Sequence, residues 1–207
     1  MNILPGFTAG LLLITLSELG DKTFFIGAIL AMRHPRRWVF LGMSAALFVM
    51  TVLSVLLGQI TTIFPQIYVQ GVTVALFFGF GLKLLSDAYR MGNPSGLGAE
   101  QAAALAAVEH RSQGGIRWAL GSVLIEAFSL TFVAEWGDRT QIATIALAAA
   151  HPPLGVIIGA TLGHSLCAAI AVACGRLMAG RISERLITGL GGALFIVFGI
   201  VAALGMA

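Results

Sequence analysis

Two short acidic segments with the same pattern interrupt the apolar sequence of this 207-residue chain. The first runs from Glu18 to Thr23 and reads E-L-G-D-K-T; the second, 117 residues later, runs from Glu135 to Thr140 and reads E-W-G-D-R-T. Each segment supplies two carboxylates, one cationic side chain and one hydroxyl. Carboxylate, carbonyl and water oxygens are the ligands that Mg²⁺, Ca²⁺ and Mn²⁺ prefer. The residue types therefore indicate a site for a hard divalent cation.

The candidate metal ligands are the four carboxylates of the two motifs: Glu18, Asp21, Glu135 and Asp138. Six motif neighbours would support that site: Gly20, Gly137, Lys22, Arg139, Thr23 and Thr140. Hydroxyls and freed glycine carbonyls could complete the coordination shell, and the two cations offset two of the four negative charges, leaving about −2. One divalent cation or two protons would neutralise that remainder. Carboxylates crowded away from water take up protons when a metal leaves, so the pattern predicts exchange of a divalent cation for protons.

The spacing of the motif predicts how its side chains are presented. If the helix is continuous, Asp21 and Lys22 share one face with Glu18 and make a polar stripe. The glycine between them allows the helix to unwind there. An alternative is that the glutamate and the cation four residues later only staple one helix. We disfavour it because a charge at the bilayer centre costs about 2.5–3.5 kcal/mol. For Lys22 and Arg139, charge balance at the site and pairing that mainly holds the fold both remain open.

The composition is that of an integral membrane protein. Hydrophobic residues make up 58% of the chain and charged residues 10%, whereas soluble domains carry about 25% charge. Six apolar spans are expected, at 5–32, 38–63, 67–89, 118–149, 153–175 and 184–205. The first and fourth exceed the ~20 residues that one crossing needs, so both should be tilted or interrupted. No removable signal peptide is predicted, and the basic residues lie in short loops, which argues against nucleic-acid binding.

The two halves of the chain repeat each other. At the same offset of 117, His34-Pro35 matches His151-Pro152, and Gly42 matches Gly159. Three spans per half is an odd number, so the second half should enter the membrane upside down, as in many secondary transporters. We therefore expect an all-α membrane protein of six transmembrane helices in two inverted three-helix repeats. The predicted boundaries are 1–89 for the first repeat, 90–116 for a cytosolic connector and 117–207 for the second repeat.

Arginine placement predicts the orientation of these spans. Nine arginines lie in loops on one side of the predicted membrane: Arg33, Arg36, Arg37, Arg90, Arg111, Arg117, Arg176, Arg181 and Arg185. The N-terminus, the C-terminus and the loops on the other side hold no Lys or Arg. The positive-inside rule then places both termini outside the cell and the basic loops in the cytosol.

The doubled E-x-G-D-[KR]-T motif resembles the signature of the Gdt family of cation/proton exchangers, also called uncharacterised protein family 0016. That family includes a Golgi manganese and calcium transporter, chloroplast manganese transporters and bacterial manganese exporters. The resemblance covers essentially the whole chain. It implies Mn²⁺ and Ca²⁺ as substrates, protons as the counter-ion, no cofactor, and the motif carboxylates as ligands. Because the chain lacks the long N-terminal extension of organellar members, it is similar to a bacterial form of the cytoplasmic membrane.

We therefore expect a divalent cation:proton antiporter, most simply one that exports Mn²⁺ from the cytoplasm. A Ca²⁺:H⁺ antiporter is the alternative within the same mechanism, and a passive divalent cation channel is the alternative from another class. An enzyme is not expected. The sequence contains no H-E-x-x-H motif and no serine or cysteine arranged with a histidine for nucleophilic catalysis.

Three further features have open roles. His164 lies in the middle of the fifth span, where the first half has Leu47, and is either a hydrogen-bonded packing residue or a proton relay. Glu126, nine residues before Glu135, is interpreted as part of an access path from the cytosol, and the alternative is that it simply lies near the membrane interface. A ridge of small residues, Gly155, Gly159 and Gly163, is typical of close helix packing and could also serve a homodimer, which nothing else in the sequence supports.

Overall fold

The computed structural model describes residues 2–90, 97–112, 120–178 and 184–205. Within those residues the chain forms nine α-helices and no strand, which confirms the all-α prediction. The helices are α1 (Leu4–Glu18), α2 (Lys22–Arg33), α3 (Arg36–Thr61), α4 (Gln66–Arg90), α5 (Leu97–Ser112), α6 (Leu120–Glu135), α7 (Arg139–Ala150), α8 (Pro153–Met178) and α9 (Glu184–Leu204).

The first and fourth apolar runs are each divided into two helices at the motif, as their length suggested. The first run gives α1 and α2, and the fourth gives α6 and α7. Both second helices end in the same way. The backbone N–H of His34 donates to the carbonyl of Leu30 at 2.8 Å, and that of His151 donates to Leu147 at 2.9 Å. Proline follows each histidine and prevents the helix from continuing.

Within the part of the chain that the structure describes, three helices are long and apolar enough to cross a membrane alone: α3, α4 and the Pro153–Ala173 part of α8. Helix α1 and the Thr188–Leu204 part of α9 are shorter apolar helices. The four helices beside the motifs have 15, 12, 16 and 12 residues. None reaches the ~20 residues of a full crossing, so a crossing at either motif would need both helices of the pair.

Helix packing follows the repeat in the sequence. Helix α1 packs on α8 and α2 also contacts α8, whereas α6 and α7 both pack on α3. Exchanging the two halves of the chain exchanges these contacts. A Cβ at Gly42 of α3 would lie 2.5 Å from the carbonyl oxygen of Leu124 in α6. The equivalent Gly159 of α8 meets the carbonyl of Phe7 in α1, and Phe7 and Leu124 are themselves repeat equivalents.

The small-residue ridge of α8 is used inside the chain. A Cβ at Gly155, Gly159 or Gly163 would press against the α1 backbone at the carbonyls of Ile3, Phe7 and Leu11 respectively. Close helix packing, the first interpretation of the ridge, is therefore confirmed. Because α1 covers this face, the ridge is not free to form a homodimer.

The predicted connector contains helix α5, which packs against the rest of the chain. Helix α5 contacts α2, and its buried residues Ala104 and Val108 join a hydrophobic cluster with Phe25 and Ile29 of α2. Residues 91–96 and 113–119, which include Arg117, lie outside the described residues, as does Arg181.

Candidate metal site

Each motif folds as a tight break between two helices. Gly20 and Gly137 have φ angles of 79° and 81°, in the left-handed region that glycine occupies without steric strain. The following aspartates, Asp21 and Asp138, are extended and stand at the N-cap positions of α2 and α7. The predicted stripe on one continuous helix is therefore wrong, because the helix ends at the glutamate. The backbone then adopts the left-handed conformation at the glycine and the extended conformation at the aspartate, after which the next helix begins.

The two motif glutamates are buried in the same way. Glu18 is 3% exposed and Glu135 is 2% exposed. The hydroxyl of Thr23 donates to Oε2 of Glu18 at 3.0 Å, and that of Thr140 donates to Oε2 of Glu135 at 3.2 Å. In both residues Oε1 has no hydrogen-bond partner within the described part of the chain. A buried, unpartnered carboxylate oxygen is costly unless a cation or a proton compensates it.

The break brings acids from both halves together. Carboxylate oxygens of Glu18, Asp21 and Glu135 all lie within 4.8 Å of one another. Oxygen ligands at the 2.3–2.6 Å typical of Ca²⁺, or somewhat closer for smaller ions, are separated by up to about this distance. Among the residues that the structure describes, no other group of three or more potential metal ligands is as compact.

The fourth predicted ligand is turned towards its own helix. Oδ2 of Asp138 accepts from the backbone N–H of Thr140 at 3.3 Å and lies 3.1 Å from the Thr140 hydroxyl. Asp138 therefore caps α7, a position where an acidic side chain is stabilised by the helix dipole. Its repeat equivalent, Asp21, makes no such cap hydrogen bond and faces the cluster instead.

The motif cations also differ. Nη2 of Arg139 lies 2.7 Å from Oδ1 of Asp21 and 3.5 Å from the carbonyl oxygen of Ser17, so its ion pair joins the two halves. The staple interpretation requires a pair along one helix, which this contact is not. Lys22, at the corresponding position, makes no ion pair within the described residues.

Two residues whose roles were open lie in different places. Nδ1 of His164 is 3.9 Å from Oε1 of Glu18, so the imidazole of this α8 residue lies at the edge of the acidic cluster. Glu126 does not reach the cluster; its Oε2 lies 3.9 Å from Nε2 of His34, and both side chains are largely buried. The contact between His34 and Glu126 joins α6 to the end of α2. The sequence gives no signal for it, because the two residues are 92 positions apart and belong to different halves.

The sequence also matches a family with a described activity. Residues 6–92 and 123–207, which include both motifs, match the profile of the GDT1 divalent cation/proton antiporters. The protein belongs to the GDT1 family. No solved structure matches the chain.

Related GDT1-like proteins align along nearly the whole chain. One from the cyanobacterium Synechocystis sp. is 54% identical over 200 residues, covering 97% of both chains. GDT1-like protein 5 of Arabidopsis thaliana is 42% identical over 217 residues, covering 96% of this chain and 95% of the relative. A chloroplastic GDT1-like protein 2 of Oryza sativa is 40% identical over 213 residues, covering 97% of this chain and 61% of the relative.

Membership of the GDT1 family identifies the class of function. The protein is a membrane transporter of the divalent cation/proton antiporter family and not an enzyme. Divalent cations and protons are accordingly its substrates rather than resident cofactors. The predicted family is thereby confirmed.

Proposed function

We propose that the protein exports Mn²⁺ from the cytoplasm in exchange for protons, and that the two motifs together form one transport site. The observation that carries this proposal is the compact group of Glu18, Asp21 and Glu135, which draws ligands from both halves of the chain. Asp138 is the fourth ligand in this proposal, and it joins when its cap hydrogen bond to Thr140 is exchanged for the ion.

The charges of the site support exchange with protons. Four carboxylates and two cations leave about −2 when all are ionised. Uncompensated charge inside a membrane costs several kcal/mol, so reorientation of the carrier with its acids ionised and no ion bound is unfavourable. One divalent cation or two protons remove that charge. The same site can therefore cross in either of two neutralised forms, which couples the two fluxes.

The proposed architecture is six spans in two inverted repeats, with boundaries 1–89, 90–116 and 117–207. The paired half-helices α1–α2 and α6–α7 form the first and fourth spans, and α3, α4, α8 and α9 form the others. The reciprocal packing of α1 on α8 and of α6 on α3 supports this arrangement, because it relates the halves by exchange. Broken helices that meet at the interface of two repeats are a common way to build a transporter site.

The proposed location is the cytoplasmic membrane of a bacterium, with both termini outside. The support is the arginine distribution, since the loops and helix ends assigned to the cytosol hold all nine loop arginines. In the proposed cycle, the ionised site takes Mn²⁺ from the cytosol, the halves rock about the site, and protons from outside displace the metal.

Ca²⁺ is the alternative substrate, because it also accepts an all-oxygen site. A channel is the alternative mechanism.

Glu126 and His34 are placed in this proposal on the path by which ions approach from the cytosol, as the contact between them lies at the end of α2.

Transport by liposomes containing the purified protein tests this function. With an acidic interior, we expect Mn²⁺ to accumulate against its own gradient while protons leave. Asp21→Asn and Asp138→Asn should each lower the rate by about tenfold or more, as loss of a ligand or of its close support does. Asp87→Asn on α4 is the matched control, since it makes the same chemical change away from the site.

The outcomes separate the alternatives. Flux that only dissipates a Mn²⁺ gradient and moves no protons would indicate a channel. Accumulation of Ca²⁺ in preference to Mn²⁺ would make the protein a Ca²⁺:H⁺ antiporter. Equal transport by the parent and both aspartate variants would overturn the site.

A further inference from the structure

His164 is held against the first motif by close packing of α8 on α1. A Cβ at the neighbouring Gly163 would lie 3.1 Å from the carbonyl oxygen of Leu11 and 3.1 Å from the hydroxyl of Thr15. The two helices therefore approach nearly to backbone contact at this level. The side chain that follows the glycine is directed to the level of Glu18, at the C-terminal end of α1.

The imidazole is buried and faces a buried acid. His164 is 5% exposed, and its Nδ1 has no hydrogen-bond partner within the described residues. Oε1 of Glu18, 3.9 Å away, also has none. That separation is too long for a hydrogen bond. Two unpartnered polar atoms thus face each other across a gap, next to the acidic cluster.

Packing alone does not explain a histidine here. Leu47 stands at the equivalent position of the first half, 117 residues earlier, and is 4% exposed. A hydrocarbon side chain therefore fills the corresponding buried position in α3. A hydrogen-bonded packing role would require a partner for Nδ1, and the described residues supply none. The thiol of Cys167, one turn later, already donates to the carbonyl oxygen of Thr15 at 3.3 Å.

We propose that His164 supplies a nitrogen ligand beside Glu18 and thereby gives the site a preference for Mn²⁺ and other first-row transition-metal ions over Ca²⁺. The inference rests on the proposed transport site. Two ligand atoms at about 2.2 Å from one ion can be at most about 4.4 Å apart, and the observed 3.9 Å lies within that limit. His164 stands at the edge of the three-carboxylate group, so the ion it contacts lies towards Glu18.

The chemistry of the donor set gives the direction of the preference. Carboxylate and carbonyl oxygens suit Ca²⁺, Mg²⁺ and Mn²⁺ alike, whereas imidazole nitrogen is a ligand of first-row transition-metal ions, among which Mn²⁺ binds least tightly. Replacing one oxygen position by nitrogen therefore weakens Ca²⁺ binding relative to Mn²⁺. The first half has no equivalent nitrogen, since Leu47 occupies that place, so the preference originates in one half of a repeated site.

Pulsed electron paramagnetic resonance of Mn²⁺ bound to the purified protein tests this inference directly. Electron spin echo modulation from a coordinated ¹⁴N nucleus is expected in the parent protein. It should be absent in His164→Leu, which copies the residue of the first half, and in His164→Gln, which keeps a polar side chain. In transport, the preference for Mn²⁺ over Ca²⁺ should fall by about tenfold in both variants.

The parent protein alone can overturn the proposal. If Mn²⁺ binds but shows no nitrogen coupling, His164 is not a ligand, whatever the variants do. If both variants transport Mn²⁺ and Ca²⁺ with the parent's preference, the imidazole does not set selectivity. Failure of the proposed function is a different result, because the parent would then exchange neither ion for protons.

Discussion

Arg139 shows how one side chain of the motif serves both halves of the molecule. Its guanidinium reaches Asp21 across the interface between the halves at 2.7 Å. The guanidinium of arginine is planar, always charged and carries five N–H donors. It is therefore better suited to bridge two helices than the compact ammonium of a lysine. Under the proposed function, Arg139 competes with the transported ion for Asp21.

Replacing Arg139 tests that competition. We expect Arg139→Gln to bind Mn²⁺ roughly tenfold more tightly, because a charge-assisted contact of about 1.5 kcal/mol no longer has to be exchanged for the metal. Release should slow, so the maximal transport rate should fall. Arg139→Lys, which copies Lys22, should lie between the two. Binding titrations and liposome transport measure the two effects.

Arg185→Gln is the matched control, since that arginine is exposed near the start of α9. Weaker Mn²⁺ binding by Arg139→Gln, with an unchanged maximal rate, would contradict a competing role. That result would favour the alternative interpretation, in which Arg139 only stabilises the fold.

Residue types were easier to predict than residue partners. The acids, threonines and glycines of the motifs are visible in the sequence because they recur at one offset. The contacts of Arg139 with Asp21 and of His164 with Glu18 are not, because each joins residues more than a hundred positions apart. Only the packing of α8 on α1 and the meeting of the two breaks determine them.

At the scale of elements, the break in each half-helix pair depends on a single backbone conformation. Gly137 has φ of +81°, yet a Cβ added there would meet no atom within 4 Å. A side chain at this position would therefore be strained by its backbone and not by its neighbours. The left-handed conformation costs an L-residue about 1–2 kcal/mol.

Gly137→Ala should consequently lower the melting temperature and reduce transport, because the break can relax only by displacing Glu135 or Asp138. Gly79→Ala is the matched control. Its added Cβ also meets no atom within 4 Å, but the residue lies inside helix α4. There alanine is favoured over glycine by about 1 kcal/mol, so the control should be as stable as the parent or more so. A Gly137→Ala protein as stable and active as Gly79→Ala would show that the break is not needed.

Element boundaries illustrate what the sequence could not determine. The length of the first and fourth spans and their central glycine predict an interruption. They do not reveal that each glutamate ends one helix and each aspartate begins the next. That outcome depends on the left-handed glycine, and a continuous helix with all polar groups on one face was the simpler expectation.

At the scale of the whole molecule, the two halves are alike in their packing and unlike in what covers them. Gly42 and Gly159 make equivalent close contacts between the halves. The connector helix α5, in contrast, covers α2, whereas the corresponding α7 borders an open apolar groove of about 320 Å³ that also involves α4. The repeat was predictable from the sequence. The position of α5 was not, because the connector has no counterpart in the second half.

The proposed function requires that both halves contribute ligands to one ion site. Equilibrium binding of Mn²⁺ to the purified protein tests it most directly, with Glu18→Gln and Glu135→Gln as the variants and Glu109→Gln, exposed on α5, as the matched control. We expect one ion per chain in the parent and control, and an affinity for that ion at least about tenfold weaker in each of the two variants. Two ions per chain, of which each variant loses a different one, would contradict it.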